Sequence, residues 1–343
     1  MLTGFADAME ALGHEARREL GAVDVRRFKR IKRASRAGEI GGRALLMFSR
    51  EPVGWFAGFS LLAFHFSMEA HLMHSVTHGA YAGLPDAEAM QARDYETLAI
   101  PMQTATWRRA HKIHHVHPSL LDADPDTMHP LFRVHATTPW RPWHLFNTVI
   151  GGLFVFETWA LDYDRFLKAR GMRKQDDRSE LKKIAAFVAY NYLLFPVLSG
   201  PSFLPVVIGT FAATTLRNYI FVAMQTASSV GAEVSTAHHG ASNRALDRDE
   251  RAKLQVETSK NFAVRSALGR WLVGGLDRHI EHHLWPWLPP ERLHALAPKV
   301  KALCEKHGVQ YSEYRSTLAS LQDSFSYLWR LSFPARKKQW TYC

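Results

Sequence analysis

Cysteine is nearly missing from this 343-residue chain, which has only Cys304 and Cys343 and no CxxC. That excludes a disulfide framework and a thiolate zinc site, and it fits a protein whose bulk faces a reducing compartment. Strand signal is scarce too: few runs alternate apolar and polar residues, so the expected class is mainly α. No internal repeat or low-complexity tract is visible. No zinc-finger, RNA-binding or helix-turn-helix pattern accompanies the net charge of +11, so nucleic acid is not expected as a partner. An anionic membrane surface accounts for the basic excess with fewer assumptions. The first fifty residues have no early apolar core of a secretory signal. They carry a basic run instead, RRFKRIKRASR at 26–36, and read as a basic arm lying along a surface.

What is there is apolar sequence in blocks. PVGWFAGFSLLAFHFSMEAHLM (52–73) reaches the roughly 20 residues that cross a bilayer core. HLFNTVIGGLFVFETWAL (144–161) reads as an interfacial or partly inserted helix. IAAFVAYNYLLFPVLS (184–199) and FLPVVIGTFAATTLRNYIFVAM (203–224) flank a Ser-Gly-Pro-Ser turn and read as a helical hairpin through the membrane. A single crossing by 52–73 would place the basic N-terminal arm outside, against the positive-inside tendency. A shallow or re-entrant path for that segment is therefore expected.

Histidine is abundant, at nineteen residues, and it is grouped. HLMHSVTH gives His71, His74 and His78; HKIHHVH gives His111, His114, His115 and, beyond them, His117; HIEHH gives His279, His282 and His283. Spacings of three and four place each group on one helix face. A lone histidine is usually a satisfied core residue. An HxxxH followed by two HxxHH groups, each beside apolar sequence, points to a metal centre. Imidazole suits iron, copper, nickel and zinc alike. There is no HExxH motif for zinc hydrolysis. With this many imidazoles and no useful thiolate, two iron ions with open positions are the expected occupant.

The ordered set HxxxH, HxxHH, HxxHH resembles the membrane fatty acid desaturases and their hydroxylase relatives. GGLDRHIEHHLWPWLPPERL looks like that family's third histidine box, and HHVHPSLLDADPDTMHPLFR like its second. The resemblance spans roughly residues 45–300. It implies an integral membrane helical bundle under a histidine-rich cap that faces the cytoplasm. It implies a non-haem di-iron centre held by His74, His78, His111, His114, His115, His279, His282 and His283. It also implies a fatty acyl substrate carried on lipid, CoA or carrier protein, dioxygen, and an external electron donor such as ferredoxin or cytochrome b5. The expected organisation is a basic arm (1–44), a desaturase-like membrane domain (45–300) and a cytoplasmic helical tail (301–343).

The chain departs from the family pattern in three ways. Many relatives carry a further histidine ligand after the last membrane helix, where this sequence reads RNYIFVAMQTASSVGAEV. Asn218, His71, His238 and His239 are candidates to fill that gap. Only one long apolar stretch precedes the first box, where two are usual. No HPGG haem motif of a fused cytochrome b5 is present. Asp277 and Asp124 are candidates to orient ligand imidazoles; Asp122, Asp124 and Asp126 otherwise read as a solvated turn. Arg217 and Asn218, inside an apolar helix, are expected to face a cavity or site, with Arg217 alternatively snorkelling. Trp285 and Trp287 are expected to anchor at a membrane interface. The same constellation could instead serve lipid hydroxylation, epoxidation or ketolation. A histidine-rich metal transporter is the reading from another class, but its ligands should lie within spans near the midplane.

Overall fold

The computed structural model describes residues 4–91, 95–121, 123–127, 131–231 and 246–334. Asp122, His238 and His239 lie outside the described residues. Regular structure within them is helical apart from one parallel pairing of two-residue strands, β1 (Asn261–Phe262) with β2 (Glu313–Tyr314). The helices are α1 (Phe5–Arg18), α2 (Ala22–Phe48), α3 (Pro52–Thr77), α4 (Thr104–Val116), α5 (Asn147–Leu153) and α6 (Val155–Ala169). They continue with α7 (Ser179–Val188), α8 (Phe195–Leu198), α9 (Phe203–Ser229), α10 (Arg248–Glu257), α11 (Ala267–Val273), α12 (His279–Leu284), α13 (Pro290–His307) and α14 (Thr317–Leu331).

Helices α2 and α3 form a close hairpin. A Cβ on Gly42 would lie 2.8 Å from the Leu62 amide nitrogen and 2.9 Å from the Gly58 carbonyl, so only glycine permits this approach. The buried face of the basic run is consequently part of the core, through Val25 and Phe28, while Arg26, Arg30, Arg33 and Arg36 point outward. The position 44/45 falls inside α2.

Two helical segments are long and apolar enough to cross a membrane, Ser179–Leu198 and Gly200–Ser229. They are the hairpin read from the sequence. Pro196 supplies no amide hydrogen, and the chain just before it, Ala189–Leu194, is π-helical. There Asn191 is buried and accepts from Arg43 Nη2 at 2.8 Å. Helix α3, which contains the 52–73 stretch, is not one of the two segments. Its second half is buried and polar. Glu69 accepts from Lys32 Nζ (2.8 Å), Ser35 Oγ (3.0 Å) and Tyr95 OH (3.0 Å), so α2 supplies two of the three partners that this buried carboxylate uses. Large apolar side chains stay exposed along the ends of α2 and α3 and along α7–α9, among them Phe48, Val53, Phe56, Leu194, Val197 and Leu204. The 144–161 stretch divides at Phe154. Trp143, Phe146 and Val149 are exposed before it, and Val155, Phe156 and Trp159 are buried after it.

The N-terminal helix is a clasp over the histidine-bearing end. Phe5, Met9 and Leu12 pack with Ile280, Trp285 and Leu288 in a second apolar cluster. Arg17 Nη1 donates to the carbonyls of Ala80 (3.0 Å) and Trp287 (2.9 Å), and Nη2 to that of Ala82 (2.7 Å). Trp285 is therefore a core residue, 3% exposed and seated against Gly13, not the interfacial anchor expected of it.

Candidate metal centre

Three elements bring the histidines together. The last turn of α3 carries His74 and His78. Helix α4 carries His111, His114 and His115, with Trp107 stacked on His111 at 4.8 Å between ring centroids. Helix α12 is only six residues long and is held from outside. Asn261 Oδ1 accepts from Ile280 N (3.1 Å), and Asn261 Nδ2 donates to Glu281 Oε2 (2.8 Å). Tyr311 OH donates to Glu281 Oε1 (2.7 Å). Burial pushes the Glu281 carboxyl up, against both of these hydrogen bonds. The glycine pair before α12 makes its approach possible. Gly274 and Gly275 are left-handed at φ 59° and 90°, and a Cβ on Gly274 would lie 2.1 Å from His71 Nδ1.

The eight imidazoles converge in two unequal sets. His74, His78, His111, His115 and His282 form the first, with one ring nitrogen of each within 4.8 Å of the others. His74 Nε2 lies 2.8 Å from His111 Nε2 and 3.2 Å from His78 Nε2. His114, His279 and His283 form the second: His283 Nε2 is 3.1 Å from His279 Nε2, and the His114 and His283 rings are 5.1 Å apart. The sets adjoin, with the His115 and His283 rings 4.5 Å apart. Lone pairs crowded this closely repel one another or share protons. His114 Nε2 and His282 Nε2 are moreover buried with no hydrogen-bond partner among the described residues. Bound cations relieve both problems, so the donor set fits a two-metal centre.

Electrostatics select neutral, ligating imidazole. Burial, followed by neighbouring histidines, holds His111, His115, His282 and His283 well below their ordinary value, and His279 down to about 3. His114 is the exception. Burial lowers it, but Asp124 and Asp126 outweigh burial and lift it to about 9. The field that would hold a second proton on its Nε2 equally favours a metal cation there.

Asp124, a candidate to orient a ligand imidazole, sits behind His114. His114 Nδ1 donates to its two oxygens at 3.0 and 2.9 Å, and Ser119 N and Asp126 N also donate to the carboxylate, each at 2.8 Å. A cation between these groups would displace all four bonds, an arrangement that suits a carboxylate supporting the imidazole better than one ligating a metal. The other candidates have different partners. His71 Nε2 lies 2.8 Å from the Leu272 carbonyl oxygen. Asn218 Nδ2 donates to Leu153 O (2.9 Å) and Asn218 Oδ1 accepts from Arg217 Nε (2.8 Å). Asp277 is fully buried against His294, at 3.1 Å. Arg217 does not snorkel: it is buried, donates to Ala99 O at 3.0 Å and lies over the Phe156 ring at 4.3 Å.

Two residues near the imidazoles were not anticipated. Gln255 Oε1 lies 3.1 Å from His283 Nδ1, while Gln255 Nε2 donates to His115 O at 2.9 Å. Ser229 Oγ, at the end of α9, lies 3.0 Å from His279 Nε2. Beside them opens a small, mainly apolar cleft of about 100 Å³ whose walls include Val155, Trp159, Val222, Gln225, Ser229 and His114.

A helical protein with a buried, metal-competent polyhistidine centre next to an apolar cleft and two long apolar helices belongs to a narrow class. The fatty acid desaturase family profile matches residues 52–315, and the chain belongs to that family. It is an oxidoreductase of the desaturase type. It is 26% identical to the NADPH-dependent stearoyl-CoA 9-desaturase of Mycobacterium tuberculosis, over 97% of this chain and 80% of that one. It is 25% identical to the sn-1 linoleoyl-lipid 6-desaturase of Arthrospira platensis, over 82% of this chain and 77% of the relative.

Proposed function

We propose that this protein is a membrane-embedded fatty acyl desaturase that uses dioxygen and two irons to insert a C=C bond. The observation that carries the reading is the convergence of eight imidazoles, five and three, beside the apolar cleft. His74, His78, His111, His115 and His282 would hold one iron, and His114, His279 and His283 the other. Iron bound there would activate dioxygen, the oxidant that removes hydrogen from an unactivated methylene. The chain's own residues do the rest. Asp124 and Gln255 fix the rings of His114 and His283. Trp159, Val155 and Val222 line the cleft that would take the acyl chain, exclude water and aim one C–H bond at the centre.

The stoichiometry requires a reductant. Two hydrogens leave adjacent methylenes, and two electrons and two protons enter, so that one dioxygen becomes two waters. An external redox protein such as ferredoxin or cytochrome b5 would deliver the electrons. The NADPH dependence of the mycobacterial relative supports NADPH as their ultimate source. The exposed apolar side chains of α7–α9 support burial in lipid, since patches of this extent are rare on soluble monomers. The histidine-bearing end would face the cytoplasm.

The test is a fatty acid methyl ester profile of a host expressing the wild type, His282→Ala, or neither, with a matched electron donor supplied. A new unsaturated species with the wild type alone supports the reading and locates the bond. A hydroxylated or epoxidised species would keep the centre and overturn the reaction. No lipid change, together with protein lacking iron, would overturn both.

A further inference from the structure

We propose that Ser229 occupies the place of a fourth imidazole at the second metal position, and that this position is held weakly and stays open toward the apolar cleft. The inference rests on the two-metal reading above.

Three observations carry it. Among the described residues the imidazole sets are unequal, five against three. Among the described residues, the polar atom on α9 that reaches His279 Nε2 is an alcohol, Ser229 Oγ at 3.0 Å. The cleft touches this set and not the other: His114, Ser229 and Gln225 line it, whereas none of His74, His78, His111, His115 or His282 does. Gln225 and Ser229 are four residues apart on α9, so they lie on one face, a turn apart.

A neutral aliphatic hydroxyl is a poorer donor than imidazole to a divalent first-row ion. Three imidazoles and a hydroxyl bind such an ion less tightly than five imidazoles, and they leave a coordination position free. A metal site that does chemistry keeps such a position. Here the free position would open on the wall that the acyl chain is proposed to lie against. The ion at the smaller set would thus be both the more exchangeable and the one presented to substrate.

The experiment uses the full chain in detergent, loaded anaerobically with Fe(II). A chelator is titrated and retained metal is counted by mass spectrometry, with no turnover involved. The wild type should start at two equivalents and lose one at a chelator concentration about tenfold or more below that removing the second. Ser229→His should raise the threshold of the first loss by about tenfold and leave the second unchanged. Ser229→Ala, a smaller change that tests the same atom if the histidine variant does not fold, should lower the first threshold alone. Release of both ions in one step by the wild type would overturn the inference while leaving the two-metal reading intact. So would an unchanged first threshold in both variants, or loss of the weaker ion in a His238→Ala/His239→Ala protein. Wild type that retains no iron at all would instead overturn the two-metal reading itself.

Discussion

The carboxylate of Asp124 receives His114 Nδ1 at 2.9 Å and so turns His114 Nε2, buried and without a hydrogen-bond partner, into the histidine cluster. A carboxylate can only accept, so Nδ1 must carry the hydrogen, which leaves Nε2 to take either a second proton or a metal cation. Asp124→Asn removes the charge and allows the amide to donate, which permits the wrong tautomer. Retained metal and activity are expected to fall by about 10–100-fold. Metal counting on purified protein checks this, and an Asn variant with full iron and full activity would show that Asp124 only shapes its turn.

Gln255 joins α10 to both HxxHH groups, through His283 Nδ1 and the His115 carbonyl. Gln255→Ala should cost about tenfold or more in metal retention. Gln255→Glu keeps the acceptor for His283 and should recover most of that loss. Equal losses in both variants would assign the effect to packing.

Gly274 is left-handed, and the space a Cβ would need is filled by His71. Gly274→Ala should destabilise the fold by about 1–3 kcal/mol through backbone strain, with the clash in addition. A thermal melt reads this as a lower midpoint. Adding His71→Ala removes the clash and should restore part of the loss, so the two changes should be non-additive. Additive losses would mean that His71 moves aside freely.

Metal loading should itself stabilise the fold, because it relieves the crowding of buried lone pairs around His74 and His111. By mass action, ligand at 100 times its Kd adds about 2.7 kcal/mol. The apo protein should therefore melt lower than the iron-loaded protein. His282→Ala should shrink the difference. An identical midpoint with and without iron would count against a centre buried in the folded state.

Much of the site could be read along the chain because helical spacing is a local property. Residues three and four apart share a face whatever the rest of the molecule does, so the histidine groups on α3, α4 and α12 were each visible as units. The apolar hairpin was visible for the same reason: Ser179–Leu198 and Gly200–Ser229 are marked by composition and by the Gly-Pro turn between them. Glu69 and His65 could not be classified in this way. They lower the apolar character of α3, and only α2, folded against it, shows that they are buried and partnered.

Division of the histidines was decided by tertiary packing. Within HKIHH, His111 and His115 join one set and His114 the other; within HIEHH, His282 joins the first set, and His279 and His283 the second. Spacing allows that split and many others, because it orients side chains about one helix axis but does not say which neighbouring helix each will meet. Gln255 and Ser229 illustrate the same limit. They are ordinary polar residues on α10 and α9 that acquire a role only where those helices end beside α12. Asn218 and Arg217 are buried, but where the sequence suggests a cavity or site their partners are each other and the backbone carbonyls of Leu153 and Ala99. Sequence determined the ligand types and their helical faces, through local backbone geometry. The fold decided which imidazoles meet, what supports them and which of them border the cleft, because those contacts join residues far apart along the chain.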